Sequence, residues 1–254
     1  MTRHDDDYAI PQLHRESCTN YNQLGVRSVI TAGVETMYQG ATLENWQIGD
    51  PIYEDSRSGT IVLAVTDTDS PALLVGKHVP AEKGKREVAI YKALEKMKVP
   101  TTYRTVLRDS MELPGDNKGK MILFVHPRGP GTLESDVVQT MTEDERKGLM
   151  HQYVLANAAM HKAGFINRDI KECHALLVGS NVPGNSRKVY KAVLCDSHMA
   201  RSNSTSGPET NDRLRTTLKW GTAAYHVPEM GTVSGWYNGR QADVFAIGVS
   251  CHFL

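Results

Sequence analysis

Short apolar runs broken by turn-forming residues fill the first half of the chain, and longer helix-like periods take over in the second. From about 45 to 80 the pattern is strand-like. Thr60-Ile61-Val62-Leu63-Ala64-Val65 and Ala72-Leu73-Leu74-Val75 are apolar or β-branched. Between them Thr66-Asp67-Thr68-Asp69-Ser70-Pro71 is rich in turn formers, so the pair predicts a hairpin. Glu87 to Lys98 predicts a helix with Val88, Tyr91 and Leu94 on one face and Lys and Glu on the other. Val99-Pro100 closes it. Met121-Ile122-Leu123-Phe124-Val125 predicts a buried strand, and the Pro- and Gly-rich stretch from His126 to Gly131 a hinge.

Thr142-Glu143-Asp144-Glu145 has the spacing of a capping box, which predicts a helix running to about His161 and ended by Gly164. Two strands are expected next, Ala175 to Val178 and Lys188 to Leu194, joined by a turn around Pro183-Gly184-Asn185. Residues 197 to 218 are polar and crowded with Ser and Thr, and a last helix is expected to start near Asp243. Strands first and helices later predict an α+β protein with a β-rich part and a helical part. Residues 1–44 are polar without a sustained period and read as an N-terminal extension.

Composition narrows the class. Lys plus Arg and Asp plus Glu each number 29, so there is no global positive field of the kind that nucleic-acid binding uses. The four cysteines, Cys18, Cys173, Cys195 and Cys251, lie far apart and form no zinc-type spacing. They are read as reduced thiols, which predicts an intracellular protein, cytoplasmic or nuclear. The first residues lack the apolar segment of a signal peptide, and no apolar run is long enough to span a membrane. The expected partner is a protein substrate or a protein ligand, with no nucleic acid and no membrane.

Three charged constellations could carry chemistry. Lys77 stands at the end of an apolar strand with Glu87 on the helix that follows, an arrangement that can present a cation to phosphate and hold it in place. Two ordinary surface charges would read the same way. Asn167-Arg168-Asp169-Ile170-Lys171 follows a helix, so Asp169 could accept a hydroxyl proton and Lys171 reach a transferred phosphate. Cys195-Asp196-Ser197-His198 follows an apolar strand, where a carboxylate can hold Mg²⁺ together with phosphate oxygens.

Taken together and in order, these pieces resemble the protein kinase superfamily from about Ile48 to the C-terminus, roughly four-fifths of the chain. Leu74-Val75-Gly76-Lys77 resembles the strand bearing the ATP-anchoring lysine, and Glu87 its partner on the regulatory helix. Met160 to Lys171 resembles the catalytic loop, with Asp169 as base, and Asp196 is similar to the magnesium-holding aspartate. Gly221-Thr222-Ala223-Ala224-Tyr225-His226-Val227-Pro228-Glu229 resembles the end of an activation segment, and Asp243-Val244-Phe245-Ala246-Ile247-Gly248-Val249 the central helix of the large lobe. The resemblance implies a two-lobed fold, with an N-lobe at 45–126 and an incomplete C-lobe at 127–254. It implies ATP and Mg²⁺ as cofactors. Lys77, Glu87 and Val62 would serve the nucleotide, Asp169 and Lys171 catalysis, and Asp196 and His174 the metal. Asp243 would bind backbone groups of the catalytic loop. Lys171 and the Gly-Thr turn at 221 lean toward Ser/Thr substrates.

The chain also departs from that pattern. Ile48 to Gly59 holds Gly49 and Gly59 but no close glycine trio, while Asp50, Glu54 and Asp55 add negative charge. Asn167 stands for the usual histidine. His174 stands for the asparagine that holds a second Mg²⁺, an ion that prefers oxygen. Ser197-His198 replaces Phe-Gly. The large lobe is expected to be cut short after the start of its central helix, exposing Val249 and Phe253 and leaving Glu229, if buried, without its arginine partner. Two functions follow: a Ser/Thr protein kinase using Asp169 and Asp196, or a catalytically impaired pseudokinase acting as a binding or scaffold module. A small-molecule kinase of the same fold is disfavoured by residues 221–229.

Overall fold

The computed structural model describes residues 42–43, 46–55, 58–68, 70–112, 120–126, 129–180, 188–202, 213–215, 221–231 and 236–254. It is α+β. Six strands, β1 (Thr42–Leu43), β2 (Trp46–Asp55), β3 (Thr60–Asp67), β4 (Ser70–Pro80), β5 (Val106–Glu112) and β6 (Lys120–His126), form one antiparallel sheet in the order β1-β2-β3-β4-β6-β5. The hairpin expected between 60 and 75 is present, with longer arms and a tighter turn than the composition predicts.

Strand alternation sorts this sheet into two faces. Ile61, Leu63 and Val65 of β3 and Leu74 of β4 pack with Trp46 and Ile48 in a buried cluster. Ile48, Leu63 and Leu74 are at most 2% exposed. Full burial of such a side chain contributes about 1.5–3 kcal/mol. The register pairs Val62 with Lys77 and Ala64 with Val75, so these four share the opposite face. There Val62, Ala64 and Val75 remain half-buried.

Helix α1 (Ala81–Lys96) starts directly after Pro80 and six residues before the expected position. Its opening residues, Ala81 to Arg86, carry little apolar signal, so the helical period becomes readable only near Val88. Its end is a Schellman motif: Lys98 lies at φ 55°, Lys98 N–H donates to Glu95 O and Val99 N–H to Leu94 O. The buried face of α1 holds Glu87, Val88, Ile90, Tyr91 and Leu94.

The remainder is built on helices α2 (Asp136–Gln139), α3 (Glu143–Lys162) and α4 (Gly239–Phe253). The capping box forms as expected: Thr142 Oγ1 accepts from Glu145 N–H at 3.3 Å, and Glu145 Oε2 accepts from Thr142 N–H at 2.8 Å. Gly164, at φ 80°, follows the end of α3. Helix α4 begins four residues before Asp243, because the Asn238 side chain caps it by accepting from Arg240 and Gln241 N–H. Small antiparallel sheets complete this part. They are β10 (Val189–Leu194) with β9 (Ala175–Ser180) and β7 (Gly131–Thr132), β11 (Arg201–Ser202) with β8 (Phe165–Ile166), and β12 (Arg213–Arg215) with β13 (Trp236–Asn238).

One core joins the two parts. Ile90, Leu94 and Val99, from α1 and its exit, pack with Leu133, Tyr153, Met160, Phe165, Leu177, Leu194 and Ile247. This fixes α1 against the segments that follow β8 and β10. On the outer side of α4, Val244, Phe245 and Phe253 are exposed and Val249 is half-buried. Glu229 is exposed, so the burial under which it would need an arginine partner does not arise. Among the described residues no helix is long and apolar enough to cross a membrane. Most of the N-terminal extension and the turn around Pro183-Gly184-Asn185 lie outside the described residues.

Candidate functional site

Lys77 does not end its strand, since β4 continues to Pro80. Its side chain leaves the half-buried face of the sheet and meets α1. There Lys77 Nζ donates to Glu87 Oε1 at 3.1 Å and to Oε2 at 2.9 Å. Glu87 is 1% exposed, so its charge is tolerated only because the ammonium answers it. Lys77 Nζ also donates to Asp196 Oδ1 at 2.5 Å. Two carboxylates, 10 and 119 positions away along the chain, thus converge on one ammonium group.

Asp196 is delivered by a clamp of backbone bonds. Leu194, the last residue of β10, is bonded through its N–H to Tyr103 O and through its O to Thr105 N–H. Cys195 N–H then donates to His174 O at 2.9 Å. The β9/β10 register, in which Ala175 faces Leu194, therefore sets His174 beside Asp196. Asp196 itself has φ 56°, a left-handed conformation that Asp tolerates better than most residues. Its Oδ1 also receives a short contact from His198 Nδ1, and its Oδ2 lies 3.6 Å from His174 Nε2.

The loop 167–171 hangs from α4. Asp243 is 2% exposed, and its carboxylate accepts from Asn167 N–H at 2.7 Å, Arg168 N–H at 2.9 Å and His161 Nε2–H at 2.7 Å. Arg168 has φ 70°, an unfavourable conformation for a long side chain. Its guanidinium Nε–H is anchored on Met199 O at 2.7 Å. Asn167 Nδ2–H donates to Asn157 Oδ1, and Asn157 in turn donates to Tyr153 O. The loop is thereby fixed from α3, α4 and the 3-10 turn after Asp196.

Asp169 sits at the centre of this loop. Its Oδ1 accepts from Thr222 Oγ1 at 3.1 Å, and Lys171 Nζ donates to the same hydroxyl at 3.1 Å. Lys171 Nζ lies 3.5 Å from Asp169 Oδ2. His174 Nδ1–H donates to the Asp169 backbone carbonyl at 2.9 Å. Thr222 comes this close because Gly221 is at φ 84°, and a Cβ there would stand 2.4 Å from Arg168 O.

The chain matches no protein-family model and no curated protein. The reading of the site therefore rests on its own chemistry. Lys77, Glu87, Asp169, Lys171, His174 and Asp196, all singled out from the sequence, lie in one connected set of polar contacts. Val62 lies beside Lys77 on the sheet. The sequence reading passed over Asn157, Met199 and the direct partnership of Thr222 with Asp169. A buried asparagine on the core face of an amphipathic helix, as Asn157 is on α3, was the one available signal.

The charges tune one another. Burial works against the Lys77 charge, but Asp196 and Glu87 outweigh it and hold the ammonium pKa well above the usual lysine range. Burial would likewise raise Asp196, yet Lys77, the hydrogen bond from His198 and His174 hold it well below the ordinary carboxylate value. For Asp169, burial is outweighed by His174 and Lys171, which lower its pKa. Burial pushes the His174 pKa down, and it pushes the Cys195 thiol up to about 12, so that thiol stays protonated.

A pH prediction follows for Asp196. Its folded pKa lies below the unfolded value of about 3.9, so the folded state binds fewer protons. The stability it contributes is complete above that unfolded value and fades as pH falls through the folded one. Urea denaturation of the parent and Asp196→Asn should show a stability gap that is constant from pH 5 to 7 and shrinks below about pH 4. A gap that widens on acidification would contradict this assignment of charge.

Proposed function

We propose that the chain is a protein-kinase-like phosphotransferase that moves the terminal phosphoryl group of ATP to a Ser or Thr hydroxyl of a protein. In this reading 45–126 forms a small lobe, 127–254 a larger helical lobe, and Asp169 and Lys77 face each other across the cleft between them. The observation that carries it is the convergence of Lys77, Glu87 and Asp196, with His174 linking Asp196 to Asp169. Phosphoryl transfer is governed by positioning and charge stabilisation, and these are the groups it needs.

The residues fit the nucleotide. Val62, Ala64 and Val75 offer a half-buried apolar floor for a flat ring beside Lys77. Lys77, Lys171 and Lys83, whose Nζ donates to Thr60 Oγ1 at 3.0 Å, supply positive charge for phosphates. The acceptor hydroxyl would give its proton to Asp169, whose depressed pKa keeps it ionised, and Lys171 would meet the incoming phosphoryl oxygens. The Thr222 hydroxyl holds the Asp169 carboxylate in place. A pair of Mg²⁺ ions does not fit. Asp196 offers oxygen, but the second position holds the imidazole of His174, and Mg²⁺ prefers oxygen donors.

A second reading, a non-catalytic binding module, is favoured by the engagement of Asp196 Oδ1 with both Lys77 and His198. Nucleotide binding separates the two. At about 100 times its Kd, ATP should stabilise the chain by about 2.7 kcal/mol and raise the melting temperature by about 5–10 °C. No shift at millimolar ATP would sink the phosphotransferase reading and leave the binding module.

A further inference from the structure

A half-buried lysine beside the site has no carboxylate of its own. Lys83 lies in the first turn of α1, four residues before Glu87, so the two stand one turn apart on the same helix face. Both Glu87 oxygens are taken by Lys77. Among the described residues Lys83 forms no ion pair, and its hydrogen-bond partner is a neutral hydroxyl: Nζ donates to Thr60 Oγ1 at 3.0 Å. The surroundings disfavour this charge. Burial and the Lys77 ammonium lower the Lys83 pKa against the pull of Asp196, Glu87 and Asp55. The first turn of a helix is also its positive end, which adds to the penalty on a cation.

The hydroxyls beside Lys83 are in the same position. Thr60, 6% exposed, shares its Oγ1 between Lys83 and the Ser58 hydroxyl, the latter at 2.9 Å. Whichever hydroxyl donates in the Ser58–Thr60 pair, one hydroxyl proton is left without an acceptor among the described residues. Thr60 alternates with Ile61, so it lies on the face of the sheet that carries Val62 and Lys77. It opens β3 directly after Ser58-Gly59, in the stretch that lacks a close glycine trio. Two ammonium groups and two hydroxyls thus line one face with more donors than acceptors, and an oxyanion is the ligand that answers such a set.

We propose that Lys83, Thr60 and Ser58 bind the terminal phosphates of the nucleotide, in place of the backbone cradle that a glycine trio would form. The inference rests on the phosphotransferase reading and deepens it: three side chains, and not a loop backbone, distinguish a triphosphate from the bare nucleoside. Phosphate oxygens accept from Lys83 Nζ–H and from the free hydroxyl proton, and the ammonium gains the counter-charge it lacks. Lys83 is then a binding residue that the fold carries at a cost when no anion is bound.

The test is calorimetric titration of the purified full chain with ATP, adenosine and tripolyphosphate at fixed ionic strength, together with thermal melting without ligand. Lys83→Met should weaken ATP and tripolyphosphate at least about tenfold, the loss expected for a hydrogen bond to a charged group, and leave adenosine within about twofold. Thr60→Val should weaken the same two ligands, and Lys83→Arg should keep most of their binding. Lys85→Met, whose lysine is exposed and pairs with Glu112 at 3.2 Å, should bind all three within about twofold of the parent. Without ligand, Lys83→Met should melt no lower than the parent. A lower melting temperature together with an equal loss of ATP and adenosine marks a merely structural lysine and overturns the proposal. Equal ATP binding by the parent and Lys83→Met overturns it too, and leaves the phosphotransferase reading intact. Lys83-dependent binding of tripolyphosphate by a chain that does not bind ATP would sustain the phosphate site and sink that reading. A parent chain that binds neither overturns both.

Discussion

Replacing Lys77 by Met is expected to destabilise the chain by about 3–5 kcal/mol, or roughly 10 °C in melting temperature. The shape of the side chain is nearly kept, so the loss is electrostatic. Glu87 is 1% exposed and Lys77 donates to both of its carboxylate oxygens; without the ammonium a carboxylate stays buried and uncompensated. Asp196 loses a partner as well, but its side chain is 23% exposed, so water answers part of that charge. The paired variant Lys77→Met with Glu87→Leu should recover most of the loss, because removing both members of a buried pair is far milder than removing one. Urea denaturation of the parent, single and paired variants measures this. A single variant within about 1 kcal/mol of the parent would mean that the Lys77–Glu87 pair contributes little to stability.

The same contacts explain which features are legible in the sequence. Lys77 and Asp169 stand near boundaries that announce themselves, an apolar run before Lys77 and a glycine-terminated helix before Asp169. Their surroundings were therefore legible as a strand and a helix end, although β4 runs on past Lys77 to Pro80. The capping box at Thr142 was legible because it is wholly local. The first turns of α1 were not, since Ala81 to Arg86 carry no buried stripe. Strand β5 was not either: Arg108 and Asp109 are exposed on an edge strand, which hides the alternation. Strand β2 is interrupted by Pro51 and by shifts of register around it, which blur its period.

The site divides in the same way. Pairing of Lys77 with Glu87 could be anticipated, as strand and helix are adjacent in sequence. Approach of Asp196 to Lys77 could not be derived from spacing; only the resemblance to kinases placed them together. His174 was expected with Asp196 only through that resemblance, and it is the β9/β10 register that brings the two together. Thr222 reaches Asp169 through the left-handed turn at Gly221, where a glycine alone does not say what it approaches. Asp243 was expected to hold the loop backbone, and its carboxylate does accept from the N–H groups of Asn167 and Arg168.

The measurement that bears most directly on the proposed function is transfer of labelled terminal phosphate from ATP to a Ser/Thr protein acceptor, by the parent chain and by Asp169→Asn. Asn keeps the size of Asp169 and can still meet Thr222, so the variant should fold. Loss of a positioned base should slow transfer by about 10²–10⁴-fold. Transfer by the parent and its loss in a folded Asp169→Asn chain is the predicted result. Equal transfer by both chains, or none by a parent chain that binds ATP, would contradict the account.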